Sequence, residues 1–250
     1  MNIAILGDSW AWGEWTVIGD CNIVTHAGLS QYLQETYPKS TIVNFAKSGG
    51  GNIYQTDWIS TYVGTDNFSK YFDLVIVFWT DPGRDVLNKY EKEPLPDNNY
   101  SFINLSLYKE LCNKSTDKYL SQLNSFGLPV LLIGGQVSLP DQDPKLDNIN
   151  FLIERMANLI DEPLWDMEQM KPTKGKLTNT IDWQAVERMQ DSYLHEQFKV
   201  EIRQLRKKHD VDLNYNYFPD MGHGGRWLHK LASFKIIEFI NENNLSQQKV

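Results

Sequence analysis

Ile3-Ala4-Ile5-Leu6-Gly7-Asp8-Ser9-Trp10 decides how the rest of the chain is read. Four apolar residues of strand type run straight into Gly-Asp-Ser, where the polarity changes abruptly. A short apolar run with a tight glycine exit is the pattern of a buried strand ending at the carboxyl edge of a sheet. In open α/β sheets, ligands and catalytic groups gather at that edge. The helix-forming residues that follow would set the Ser9 hydroxyl and backbone N–H at a helix N-terminus. Ser9 is therefore a candidate nucleophile.

The same alternation continues along the chain. Residues 27–37 carry apolar groups at helical spacing (Leu29, Tyr32, Leu33) and stop at Pro38. Residues 41–45 read as a second strand, followed by Ala46-Lys47-Ser48-Gly49-Gly50-Gly51-Asn52 and a helical segment over 53–63. Residues 74–79 form a continuous apolar run, typical of a parallel strand buried on both faces. That run exits at Thr80-Asp81-Pro82-Gly83, a turn cluster. The polar, proline-containing stretch 91–99 reads as a surface loop, 102–126 as a long helix and 128–133 as a fourth strand. Over 138–182 the pattern loosens around Pro140, Pro144, Pro163 and Pro172, which predicts an insertion on the core holding a helix near 151–160. A long amphipathic helix over 183–209, a fifth strand over 211–215 and a closing helix over 227–243 complete the reading. Strands alternating with helices predict a single α/β domain over 1–250, with a five-stranded parallel sheet between two helical layers.

Composition narrows the function classes. The 250 residues are 41% hydrophobic and 12% aromatic, enough for a sizeable core. A formal net charge of -8 argues against a nucleic-acid partner, which would need a basic face. The one basic cluster, Arg203 to Lys208, reads as a solvated helix face. Cys21 and Cys112 form neither a disulfide framework nor a metal spacing. No apolar run reaches the roughly 20 residues needed to span a bilayer, and no secretory leader precedes the first strand. The expectation is a cytoplasmic protein without membrane attachment.

A serine nucleophile needs a base within hydrogen-bond reach. Of the five histidines, His26, His195 and His209 lie in or beside helix-like stretches. His223 instead lies in a loop after a strand-like run, three residues beyond Asp220. That spacing lets the carboxylate return to Nδ1 and fix the tautomer, leaving Nε2 for Ser9. Acyl transfer also needs donors aimed at the developing oxyanion. Backbone N–H groups at Ser9 and in the Gly49–Gly51 run suit that role, because glycine lets the backbone approach a ligand closely. Trp10, Trp12 and Trp15, close to Ser9 in an apparent loop, either line a substrate cleft or pack as a lid on the core.

Gly7-Asp8-Ser9, Asn44 followed by Gly49, and Asp220-Met221-Gly222-His223 resemble, in order and position, blocks of the SGNH (GDSL) hydrolases. His229 and Leu231 in the closing helix are also similar to that family's ending. The resemblance implies a flavodoxin-like SGNH hydrolase fold and a serine ester hydrolase without cofactor or metal. Its substrate would be a small-molecule or carbohydrate ester carrying an acyl or acetyl group. Ser9, His223 and Asp220 would be catalytic, and Ser9, Gly49 and the residue in the Asp81 slot would form the oxyanion hole. Trp10, Trp12 and Asn52 would contact substrate.

The third block departs from the pattern. The family has Gly-x-Asn-Asp there, and this chain has Trp79-Thr80-Asp81-Pro82, with Asp81 where the asparagine would donate. An ionised carboxylate accepts hydrogen bonds and cannot donate them. Either Asp81 is protonated, or another donor such as Asn52 replaces it, or it points away, or the site binds without efficient turnover. The last option makes a catalytically impaired binding or structural protein the alternative reading. A phosphate- or nucleotide-binding site at 49–52 lacks the P-loop and dinucleotide fingerprints. A metal site on Asp220, His223 and His229 has no recognised ligand spacing.

Overall fold

The computed structural model describes residues 1–18, 21–62, 64–86, 105–135, 137–141, 146–156, 159 and 226–245. Five strands, β1 (Asn2–Leu6), β4 (Thr41–Asn44), β5 (Leu74–Trp79), β6 (Val130–Gly134) and β7 (Ile149–Ile153), form one sheet in the order β4-β1-β5-β6-β7. Every neighbouring pair is parallel, with Ile5 opposite both Asn44 and Ile76 and Trp79 opposite Gly134. A two-stranded antiparallel ribbon, β2 (Glu14–Ile18) with β3 (Cys21–His26), stands apart from this sheet.

The period of two along each strand divides the core between the sheet's faces. Ile3 and Ile5 of β1, Ile76 and Phe78 of β5, and Leu131 and Ile133 of β6 pack on one side. There they meet Leu29 and Leu33 of α2 (Leu29–Thr36) and Leu228, Ile236 and Ile240 of the closing helix (Arg226–Glu242). Ala4, Leu6, Val75, Val77, Trp79, Val130 and Leu132 face the other way. On that side lie Ile59 of α3 (Asn52–Tyr62), Phe68 of α4 (Thr65–Tyr71), and Tyr119 and Leu123 of α5 (Leu105–Asn124). The Phe68 ring sits 4.7 Å from both Phe72 and Phe126, which binds α4 to the end of α5. The result is a three-layer α/β sandwich. All six residues of β5 are buried, as its unbroken apolar sequence requires of a strand covered on both faces. Removing each such large side chain from water is worth about 1.5–3 kcal/mol.

The closing helix, α6, also caps α2. Gly28 precedes α2 with φ +53 and offers no side chain, and His229 Nδ1 accepts the Leu29 N–H at 3.2 Å instead. A Cβ on Gly28 would lie 2.7 Å from that nitrogen, so glycine is what lets the imidazole reach the helix end.

Three expectations change. Residues 149–153, expected within an insertion and near a helix start, are instead the fifth strand of the sheet. Asn150 interrupts their apolar run, and only Ile149 and Ile153 are fully buried, so the usual signature of a central strand is weak. The loop expected around Trp12 and Trp15 contains α1 (Ser9–Trp12) and the β2–β3 ribbon. The β-branched residues Thr16, Val17, Ile18, Ile23, Val24 and Thr25 favour strands there. Helix α4 follows Gly64 without having been marked by its short sequence. The loop at 91–99, the helix at 183–209 and the strand at 211–215 lie outside the described residues.

Candidate functional site

In the order β4-β1-β5 the chain passes to opposite sides of β1, and ligands in such sheets bind outside the carboxyl ends at that switch point. Three loops meet there, after β1, β4 and β5. Gly7 makes the first of them with φ +152. A Cβ on it would lie 2.5 Å from Ala11 Cβ and 2.8 Å from Phe78 Cβ, so no other residue fits where β1 folds against β5. Asp8 then caps the four-residue helix α1, its Oδ1 accepting from Trp10 N at 2.9 Å. Ser9, the first residue of that helix, is 5% exposed.

The second loop is tied to the first. Lys47 N donates to Gly7 O at 3.0 Å. Asn44 Nδ2 donates to Ala11 O and Ser30 Oγ, while its Oδ1 accepts from Ala46 N. Gly49 follows with φ +72 and lies exposed. A Cβ on Gly51 would collide with the Asp85 carboxylate.

The third loop carries charge into the site. Asp8 Oδ2 accepts from Thr80 Oγ1 at 2.8 Å and from Arg84 Nη1 at 2.6 Å. The Thr80 backbone pairs with the Asn52 carboxamide on both sides, N to Oδ1 at 3.0 Å and O to Nδ2 at 2.8 Å. Asp85 closes the chain of contacts by accepting from Asn52 N, Ile53 N and, at 3.4 Å, Ser115 Oγ. Burial pushes the Asp85 carboxyl up to about 6, against the pull of those backbone donors. The polar path Arg84–Asp8–Thr80–Asn52–Asp85 therefore runs under the whole switch point.

Asp81 sits at the head of the turn that bears Arg84 and Asp85. Its Oδ1 accepts from Gly83 N at 2.8 Å, and its carbonyl accepts from Arg84 N. Tyr108 lies beside this turn, its hydroxyl pushed up to about 12 by burial first and by the Asp81 charge second.

Ser9, Gly49 and Asp81 thus stand on three adjoining loops at one edge of the sheet. Asp220 and His223 lie outside the described residues. Two of the expected substrate contacts are buried. Trp10 is 1% exposed and belongs to the core, packed beneath Gly135. Asn52 is 1% exposed, with its carboxamide paired to the Thr80 backbone on both sides. Trp12, 46% exposed, remains at the surface. In sequence Thr80 reads only as part of a turn, and Arg84 and Asp85 draw no reading, although two opposite charges just past a strand end are a usable signal.

No family model and no curated protein matches this chain. Among solved structures it is similar to a lipase from a goat rumen metagenome, at 15% identity over 95% of this chain and 96% of that one, TM-score 0.40. It is similar also to a lipase/acylhydrolase from Enterococcus faecalis, at 13% identity over 97% of each chain, TM-score 0.39. A third is a catalytic mutant of an acetylxylan esterase from Geobacillus stearothermophilus, at 13% identity over 96% of this chain and 93% of that one, TM-score 0.37. Among the described residues no group of three or more His, Cys, Asp or Glu is placed to hold a metal ion. No described helix is long and apolar enough to cross a membrane.

Proposed function

We propose that this protein is a serine ester hydrolase of the SGNH type, acting on an acyl or acetyl ester of a small molecule or carbohydrate. The observation that carries the reading is the placement of Ser9 in the first turn after β1, at the switch point, with the β4 loop bonded alongside. In this reading Ser9 Oγ attacks the acyl carbon while its proton passes to His223 Nε2, and Asp220 orients His223 through Nδ1. The N–H groups of Ser9 and Gly49 hold the oxyanion. His223 then gives the proton to the departing alcohol as the ester C–O bond breaks. Water, deprotonated by the same histidine, releases the acid and restores Ser9. Trp12 is an exposed aromatic surface for stacking on a sugar ring.

Hydrolysis of p-nitrophenyl acetate by the wild type and by Ser9→Ala and His223→Ala tests the assignment. Both variants are expected to fall to the uncatalysed background. Equal rates in all three would reject the triad.

One observation favours a second reading, a degenerate site that binds without efficient turnover. Asp81 stands where the family's asparagine donates, and its carboxylate accepts from Gly83 N. Wild-type hydrolysis near background, restored sharply by Asp81→Asn, would select that reading.

A further inference from the structure

We propose, resting on the hydrolase reading above, that Arg84 and Asp85 are positioning residues which hold the Ser9 and Gly49 loops at the spacing an oxyanion needs. In that reading the N–H groups of Ser9 and Gly49 face one developing charge, and such donors work only if they are fixed before the reaction begins. The second loop makes this demanding, because Gly49-Gly50-Gly51 is the least conformationally restricted kind of stretch a chain can offer. Contacts from outside the loop have to fix it.

Two consecutive residues after β5 supply contacts to both loops. Arg84 Nη1 donates to Asp8 Oδ2 at 2.6 Å, and Thr80 Oγ1 donates to the same oxygen at 2.8 Å. The other oxygen, Oδ1, accepts from Trp10 N, while the Asp8 carbonyl accepts from Ala11 N and Trp12 N. The Asp8–Ser9 peptide is trans, so the Ser9 N–H points opposite to that carbonyl, out of α1. Holding Asp8 therefore aims the Ser9 N–H.

Asp85 holds the second loop. Its carboxylate accepts from Asn52 N at 3.1 Å and from Ile53 N at 3.0 Å, and it packs against Gly51 with no room for a Cβ. Ahead of Gly49, Lys47 N donates to Gly7 O at 3.0 Å, and Gly50 N donates to Lys47 O at 2.9 Å. The segment carrying Gly49 is thus pinned to the Ser9 loop on one side and to Asp85 on the other. The Asn52 carboxamide, paired with the Thr80 backbone, closes a ring that runs Asp8–Arg84–Asp85–Asn52–Thr80 and back to Asp8. Truncating either charged side chain opens that ring.

Kinetics with p-nitrophenyl acetate and inhibition by butylboronic acid test it. Ser9 Oγ adds to the boron as its proton passes to His223, which gives a tetrahedral anion held by the same donors. Arg84→Met and Asp85→Ala should each lower kcat by about tenfold or more with KM little changed, as misplacing a group that acts only in the transition state does. The inhibition constant of butylboronic acid should rise in the same proportion. Arg84→Lys and Asp85→Asn, which keep a donor and an acceptor, should fall between those variants and the wild type, and they carry the test if the larger changes prevent folding. Lowered melting temperatures with wild-type kcat and wild-type inhibition would overturn the proposal, since the two residues would then serve stability alone. A wild type that neither hydrolyses the ester nor responds to the boronic acid would remove the hydrolase reading, and this proposal with it.

Discussion

Arg84 Nη1 lies 2.6 Å from Asp8 Oδ2, on the residue next to Ser9. Asp8 is almost wholly covered, with its side chain 3% exposed, while Arg84 retains 29%. Losing the guanidinium would leave a buried carboxylate with only Thr80 and Trp10 as donors. Breaking a fully buried pair costs about 3–5 kcal/mol, and partial exposure of Arg84 lowers the expectation to about 2–3 kcal/mol. Arg84→Leu should show this loss in urea unfolding, and adding Asp8→Asn should recover most of it. A double variant no more stable than Arg84→Leu alone would mean the pair does not organise this loop.

Asp85 predicts a pH dependence of stability. Its carboxyl sits at about 6 in the folded chain, above the ordinary value of 3.8. Between those values the native state holds more protons than the unfolded state, so stability falls as pH rises through that window. The expected loss is about 2–3 kcal/mol from pH 4 to pH 7. Asp85→Asn, which keeps an acceptor for α3, should remove that slope. Unfolding midpoints of both proteins at pH 4, 5, 6 and 7 check it, and parallel curves would contradict it.

For Asp81→Asn, activity should rise while the fold is unaffected. The asparagine keeps an Oδ1 to accept from Gly83 N and gains an N–H to donate. A single oxyanion donor is typically worth about 10²–10³ in rate. An increase of at least about tenfold in kcat, with KM little changed, is expected for p-nitrophenyl acetate. A fall in kcat would show that the carboxylate itself serves the reaction.

The sheet was legible wherever burial is symmetrical. Leu74–Trp79 reads as a central strand because helices cover both its faces, and β1 reads likewise up to the glycine that its close approach to Phe78 demands. β7 was not legible, because it lies at the end of the described sheet and Asn150 breaks its apolar run. Within the site, Ser9 and Gly49 follow from local pattern, a polar break after an apolar strand and a glycine run after another. Aromatic residues beside a catalytic-looking serine fit a cleft and a core equally well in sequence, and the burial of Trp10 is seen only in its packing under Gly135. Arg84 and Asp85 bond to residues 76 and 33 positions away, a pairing no local pattern carries.

The central claim is that Ser9 is an activated nucleophile. Exposure of the folded chain to a fluorophosphonate, followed by peptide mass spectrometry, measures it most directly. One covalent adduct per chain on Ser9 is predicted, absent in Ser9→Ala and formed far more slowly in His223→Ala. An unmodified Ser9, or labelling that His223→Ala does not slow, would contradict the account.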